Sequence, residues 1–594
     1  MLSLRELLEL RVALPVGFSD DGGSVLLLSN RAGTMQLYRT PRDGGELEQL
    51  TGFDEPVGGQ YVPGTGGRIL LSTDKGGNER HQLFLFDPGA APEAFASDPD
   101  SIHRSECTSF DGRLVGYASN KRNGVDFDIY VQPIGGEARL VAELGGWCDT
   151  VGFSPDGRWL AVTKLTDRSG DNDLYLVGVD DGEVLHVSPH DDEAAFERPV
   201  WRPDSRSFLC AASTGRDTTA VARYDLETGL FEYVLEDEWD LAITGDRSGR
   251  HLLVEANEDG YSRVELRDPD TLELRARVPL PARGVAQPFV FSRDGRYLAY
   301  HFNSPREPGD AWLYDTESGE TTRLTRSANE ALFESLTEPE LHRYDSFDGE
   351  SIPVFLYLPD RPEPAPVIVN IHGGPEGQAR PIWGAVIQYW VSRGFAVAVP
   401  NVRGSTGYGK RYEHLDDRFM RLDSVRDLAS LHDWLSSSGN VDASRIALAG
   451  GSYGGYMVLA GLAFHPELFA AGVDIVGISS LVTFLENTSV WRRAFREREY
   501  GYLATDREFL EQVSPITEVD EIRAPLFIVH GANDPRVPLS EAEQLHAELE
   551  RRGVPSELVV YDDEGHGLQK LKNRLDAYPR IADFLERVLA PARV

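Results

Sequence analysis

Seven times in its first three hundred residues the chain repeats a short polar turn followed by an apolar run, and that periodicity admits few folds. The turns are Phe18-Ser19-Asp20-Asp21-Gly22, Val62-Pro63-Gly64-Thr65-Gly66, Phe110-Asp111-Gly112, Phe153-Ser154-Pro155-Asp156-Gly157, Trp201-Arg202-Pro203-Asp204-Ser205, Thr244-Gly245-Asp246-Arg247-Ser248-Gly249 and Phe291-Ser292-Arg293-Asp294-Gly295. The residue after each falls at Ser24, Arg68, Arg113, Arg158, Arg206, Arg250 and Arg296, in steps of 44, 45, 45, 48, 44 and 46. A unit of that size cannot bury its own apolar face, and the period is the length of a propeller blade. Inside a unit, Gly157 to Thr163 and Asp173 to Val177 read as successive short strands, and Asp-Gly turns suit hairpins because both residues tolerate positive φ. The reading is a seven-bladed β-propeller over residues 13–330.

A different grammar follows. The hairpin Leu341-His342-Arg343-Tyr344 and Ile352 to Tyr357, turning at Phe347-Asp348-Gly349, opens an α/β domain placed at 335–594, and Ser327 to Glu340 is the crossover into it. Residues 446–457 read Ile-Ala-Leu-Ala-Gly-Gly-Ser-Tyr-Gly-Gly-Tyr-Met, a G-x-S-x-G elbow between an apolar run and a helical pattern. Such an elbow holds its serine on a cramped strand-to-helix turn that leaves room only for flanking glycines, so Ser452 is the candidate nucleophile. Pro525 to His530 is a buried-strand pattern with Asp534 just beyond it. Leu558 to Tyr561 is another, followed by His566 between glycines. Serine, aspartate, histidine is the chain order of α/β-hydrolases, which gives the triad Ser452, Asp534, His566. Alone, Asp534 would be a cap for the helix after it and His566 an ordinary loop histidine; the shared order and strand-end positions favour catalysis. His530 precedes the acid and is read as structural. His372-Gly373-Gly374-Pro375 after Val367 to Ile371 offers backbone donors, so the Tyr453 and Gly374 N–H groups are the candidate oxyanion hole.

These motifs, with Asn401 to Gly409 and Asp534-Pro535-Arg536-Val537-Pro538, resemble the prolyl oligopeptidase family of serine peptidases, and more particularly its acylaminoacyl-peptidase and dipeptidyl-aminopeptidase-like members. The resemblance spans residues 340–594, and a propeller ahead of the hydrolase agrees with it. It implies hydrolysis of short peptides through an acyl-enzyme. It also implies that Arg536 binds a substrate carbonyl or carboxylate, with a structural salt bridge as the other reading, and that Phe484, Trp491 and Phe495 wall the specificity pocket. A carboxylester hydrolase of the same fold is the alternative function. Exopeptidase relatives hold a free amino terminus with a glutamate pair, but Asp191-Asp192-Glu193 and Glu236-Asp237-Glu238 read as solvated acidic turns. Residues 1–12 contain an amphipathic segment with Leu4, Leu7 and Leu8 on one face, too short and too charged for a signal peptide or membrane span, and the resemblance implies that it packs on the hydrolase.

Composition narrows the partners. A formal charge of −37, from 59 basic and 96 acidic residues, excludes nucleic acid and anionic membrane. Cys107, Cys148 and Cys210 form no disulfide pattern, which points to a reducing, cytoplasmic setting. No zinc spacing or phosphate loop is present, so no cofactor and no metal are expected. A homo-oligomer stays open.

Overall fold

The computed structural model describes residues 2–326 and 330–589. The chain first forms seven four-stranded antiparallel sheets: β1–β4 over residues 13–49, β5–β8 over 57–96, β9–β12 over 103–142, β13–β16 over 148–186, β17–β20 over 200–235, β21–β24 over 241–277 and β25–β28 over 285–323. These are the blades of a seven-bladed propeller. Each repeated turn joins the first strand of a blade to the second, so the blade begins one strand before the repeat that announces it. One hydrogen-bond pattern closes four of the turns, those of Ser19, Ser109, Ser154 and Ser292. Ser154 Oγ donates to Asp156 Oδ1 at 2.6 Å and accepts from the Trp159 N–H at 2.9 Å, and Ser292 does the same with Asp294 and Tyr297 at 2.7 and 2.9 Å. The ring closes by packing and not by a shared strand: Ala13, Val25 and Leu27 of the first blade bury against Ala299, Ala311 and Leu313 of the last, and His301 lies 3.0 Å from the Ala13 carbonyl.

The C-terminal part is an α/β-hydrolase sheet of eight strands, β29 (Glu340–Asp345), β30 (Ser351–Tyr357), β31 (Ala365–Ile371), β32 (Ala396–Pro400), β33 (Val441–Gly451), β34 (Ala471–Ile475), β35 (Leu526–Gly531) and β36 (Ser556–Tyr561), in the order β29-β30-β32-β31-β33-β34-β35-β36. The first three residues of the expected crossover, 327–329, lie outside the described residues. From β31 to β36 the pairs are parallel. Alternate residues therefore face opposite cores, and both faces read as apolar. Ile446 and Leu448 of β33 enter one core with helices α4 (Arg421–Ser438), α5 (Tyr453–Phe464) and α9 (Ser540–Arg552), while Ala447 and Ala449 enter the other with α2 (Ala385–Ser392) and α10 (Leu571–Leu589). The remaining helices are α1 (Leu4–Leu8), α3 (Lys410–Glu413), α6 (Leu481–Asn487), α7 (Val490–Tyr500) and α8 (Arg507–Gln512). Helix α1 buries Leu4, Leu7 and Leu8 in the α2–α10 core, tying the chain's start to its last helix. Among the described residues no helix is long and apolar enough to cross a membrane.

The propeller meets the hydrolase through the hairpins that join second and third strands, opposite the repeated turns. Residues 74–81 of the second blade, 166–171 of the fourth, 213–219 of the fifth and 257–260 of the sixth all reach across. Arg380 Nε donates to the Gly260 carbonyl at 2.8 Å and the Lys410 N–H donates to the Asp217 carbonyl at 2.8 Å, while Lys410 Nζ reaches Asp192 Oδ2, in the link between the fourth and fifth blades, at 2.7 Å. Because Leu7 is 1 % exposed, Leu7→Ala should destabilise by about 2–5 kcal/mol, seen as a lower urea midpoint. An unchanged midpoint would mean that α1 contributes nothing to the hydrolase core.

Candidate active site

The elbow owes its shape to two glycines. Ser452 sits between β33 and α5 at φ 59°, ψ −119°, a left-handed backbone that most residues avoid. A Cβ on Gly450 would lie 2.4 Å from the Gly454 carbonyl oxygen, and one on Gly454 would lie 2.3 Å from the Ile371 oxygen. At Gly451 the nearest atom would be 3.6 Å away, so space does not require glycine there. The Ser452 N–H is held by the Ile475 carbonyl at 2.9 Å.

Asp534 and His566, on the loops after β35 and β36, meet with His566 Nδ1 2.7 Å from Asp534 Oδ2. The other carboxylate oxygen accepts the N–H groups of Arg536 at 2.8 Å and Val537 at 3.0 Å, which fixes the acid's orientation. His530 is fully buried with Nε2 2.9 Å from the Val537 carbonyl, and its burial pushes its pKa down. It is a packing histidine. Among the described residues Ser452 Oγ has no hydrogen-bond partner.

The His372-Gly373-Gly374-Pro375 loop lies on the elbow. A Cβ on Gly373 would come within 3.3 Å of the Ser452 Cβ, and Gly374 has φ 144°, in glycine's territory. Arg496 holds the loop in place, donating to the Gly374 carbonyl at 3.2 Å and pairing with Glu376 at 3.3 Å. Tyr453 is the first residue of α5, so its N–H precedes the helical ladder.

Ser452 and Gly374 line a cavity of about 370 Å³ between hydrolase and propeller, roofed by Leu165, Gly170, Asp171 and Asn172 of the fourth blade. A neighbouring cavity of about 600 Å³ shares Leu165, Arg492, Phe495 and Arg536 with it and continues to His81 and Trp147 of the propeller. Phe484, 2 % exposed, belongs to the hydrolase core and borders the first cavity, packed at right angles to Tyr500. Phe495 borders both cavities. Trp491 lines the second and packs on Phe127 and Trp147 of the propeller, with ring centroids 6.4 and 5.4 Å away. Arg536 unites its two sequence readings: it lines both cavities, and its Nε donates to Glu79 Oε1 of the second blade at 2.5 Å.

Sequence reasoning missed the cavity's charges. Glu413 lines it with its pKa pushed up to about 7, chiefly by burial, with His414 opposing the rise and Glu376 and Glu499 adding to it. Arg492 is pulled down to about 10 by burial and the like charges of Arg536 and Arg496. Glu376, directly after the His-Gly-Gly-Pro motif, was within reach of a motif argument; nothing in the sequence marks Glu413. The acidic runs do not line this cavity: Asp192 pairs with Lys410 at 2.7 Å, Glu236 with Arg216 at 2.9 Å and Asp237 with Arg263 at 2.6 Å.

Fold and site together define a propeller-capped α/β-hydrolase with a serine elbow. The profile of the prolyl oligopeptidase family matches residues 383–592. Dipeptidyl aminopeptidase BIII of Pseudoxanthomonas mexicana is 26% identical over 586 residues, covering 94% of this chain and 84% of that one. Dipeptidyl peptidase family member 6 of Caenorhabditis elegans is 32% identical over 502 residues, covering 78% and 62%. A solved puromycin-hydrolyzing peptidase of Mycobacterium tuberculosis superposes with a TM-score of 0.87 at 21% identity, covering 99% and 96%. Residues 383–592 belong to the prolyl oligopeptidase family, and the chain is a serine peptidase.

Two loops meet backbone to backbone beside His566. A Cβ on Gly565 would lie 2.1 Å from the Gly77 carbonyl oxygen, and neither main chain can swing aside as a side chain could. Gly565→Ala should therefore displace His566 or lift the second blade, with a loss in kcat/KM on the order of 10² for a displacement near 1 Å. Wild-type kcat/KM in a folded variant would show the contact to be slack.

Proposed function

We propose that this peptidase cleaves short peptides in the roofed cavity, with Ser452 as nucleophile, His566 as general base and acid, and Asp534 as its orienter. The observation that carries this reading is the strained serine at the floor of a cavity whose roof is the propeller. His566 turns Nδ1 to Asp534, which leaves Nε2 to take the Ser452 proton. Ser452 Oγ then bonds to the scissile carbonyl carbon, and the oxyanion accepts hydrogen bonds from the Tyr453 and Gly374 N–H groups. The tetrahedral intermediate collapses, the C–N bond breaks, and the imidazolium gives its proton to the leaving amine. Water, deprotonated by His566, attacks the acyl-enzyme, and collapse returns the proton to Ser452. In apo hydrolases the serine–histidine contact is often long and tightens with substrate. Phe484 and Phe495 take the apolar side chain before the cut, and Arg536, already partnered by Glu79, steadies a substrate carbonyl.

Ser452→Ala should lower turnover of a peptide amide on the order of 10⁶-fold, and Asp534→Asn roughly 10⁴-fold through the wrong imidazole tautomer. More than a few per cent of activity in purified Ser452→Ala would refute the assignment.

Glu413 and Glu376 make the cavity receptive to a substrate's free amino group. With its pKa near 7, the Glu413 carboxyl is neutral below that pH and charged above it, while a peptide amino group stays cationic to about 8. KM for a peptide with a free amino terminus should therefore fall as pH rises from 6 to 7.5, whereas KM for its N-acetylated counterpart should not. Glu413→Gln should flatten the first profile. Parallel profiles for both substrates would rule out amine recognition by this carboxylate.

A further inference from the structure

Behind the elbow runs a chain of buried polar groups that begins in the hydrolase and ends in the propeller. The Tyr453 hydroxyl donates to Asp416 Oδ2 at 2.7 Å and lies 2.9 Å from Ser424 Oγ. Arg421 bridges the next step: Nη1 pairs with Asp416 Oδ2, and Nη2 pairs with Glu499 Oε1 and donates to the Glu499 carbonyl at 3.0 Å. The side chains of Arg421, Asp416 and Glu499 are wholly buried. Burial pushes the Asp416 pKa well up, and the Arg421 guanidinium offsets only part of that rise. The last contact crosses between domains. Ser169, 5 % exposed in the 166–171 hairpin of the fourth blade, donates its hydroxyl to Glu499 Oε2 at 2.6 Å.

The same hairpin is clamped at three further points. Arg498 Nη1 donates to the carbonyls of Thr166 at 3.1 Å and Asp171 at 3.3 Å, and the Tyr502 hydroxyl donates to the Asp167 carbonyl at 3.0 Å. Gly170 and Asp171 of the hairpin roof the cavity that holds Ser452. One end of the chain is thus fixed by how the propeller sits, and the other by the side chain of the residue after the nucleophile.

We propose that Ser169, Glu499, Arg421 and Asp416 are positioning residues that relay the position of the 166–171 hairpin to the Tyr453 side chain and so set the aim of the Tyr453 N–H. This rests on the reading that Ser452 is the nucleophile and the Tyr453 N–H an oxyanion donor. When the hairpin lifts, Glu499 Oε2 loses its donor, and a buried acceptor left short of a hydrogen bond is costly. The ion pairs then relax toward water, and the Tyr453 hydroxyl loses its fixed acceptor. Tyr453 opens α5, so a shift of its side chain moves the N–H aimed at the oxyanion. That donor acts on the transition state more than on bound substrate, so the signature is a fall in kcat with KM preserved.

The test is a double-mutant cycle in the full-length protein with Ser169→Ala and Tyr453→Phe, which keeps the N–H. The readouts are kcat and KM on a peptide amide, the rate of fluorophosphonate labelling at Ser452, and the thermal midpoint. Each single variant should lose about tenfold in kcat and labelling rate, a fraction of the roughly 10²–10³ that loss of a whole oxyanion donor costs, with KM within about twofold. The double variant should be no slower than the slower single one, and Ser169→Thr, which keeps the hydroxyl, should restore the rate. Wild-type kcat in Ser169→Ala, or losses that multiply to about a hundredfold in the double variant, would overturn the coupling. Should Ser169→Ala fail to fold, Tyr502→Phe frees the same hairpin from another side and takes its place in the cycle under the same criteria. If the probe leaves wild-type Ser452 unlabelled, the nucleophile assignment has failed, and the proposal falls with it.

Discussion

The contact of Gly77 with Gly565 sets how propeller and hydrolase fit together. Two main chains touch there with no room for a Cβ, so the hairpin 74–81 of the second blade lies directly on the loop that carries His566. Its neighbours extend the same seam. Asn533 Nδ2 donates to the Gly76 carbonyl at 3.1 Å, one residue before Asp534, and Arg536, two residues after it, pairs with Glu79. The hairpin of the fourth blade reaches the elbow side through Ser169 and Glu499. The propeller therefore braces the histidine loop, the aspartate loop and the elbow, and the cavity between them exists only while both hairpins are seated.

What the sequence disclosed and what it withheld divide along the same line. The repeated turns were legible because each is closed by local chemistry, as in Ser154 with Asp156 and Trp159, and local chemistry leaves a local signature. They lie on the face away from the hydrolase. The hairpins that do face it share no signature, because each is shaped to a different partner: Gly77 is small for Gly565, and Ser169 is polar for Glu499. The elbow was legible for the reason the turns were, since Gly450 and Gly454 are demanded by atoms within a few residues or on the adjacent strand. Trp491 shows the opposite case. An aromatic on a helix beyond the elbow reads as a pocket wall, and Trp491 does border the second cavity; that it also packs against Trp147 and Phe127 of the propeller is something no pattern within the hydrolase could forecast. Glu413 is an ordinary charged residue in sequence; its pKa near 7 arises from burial and from Glu376 and Glu499, which meet it only in the fold.

The charge arrangement fits an acidic protein that needs cations at one place. Four arginines, Arg492, Arg496, Arg498 and Arg536, line the Ser452 cavity in a chain of net charge −37, each beside a carboxylate or a carbonyl. Paired in this way they organise loops more than they attract a ligand: Arg496 holds the Gly374 loop, Arg498 the 166–171 hairpin, and Arg536 the second blade. Arginine suits such work because its planar fork can serve two acceptors at once.

The account stands on the claim that chemistry happens inside the cavity roofed by the propeller. Its most direct test is kcat/KM for one cleavable sequence presented in a series of rising size, from a dipeptide amide through longer peptides to a flexible loop of a folded domain. The account predicts a steep fall with size and no cleavage of the folded domain. Equal kcat/KM for the short peptides and the folded domain would contradict it, because no folded chain can reach Ser452 while the hairpins are seated.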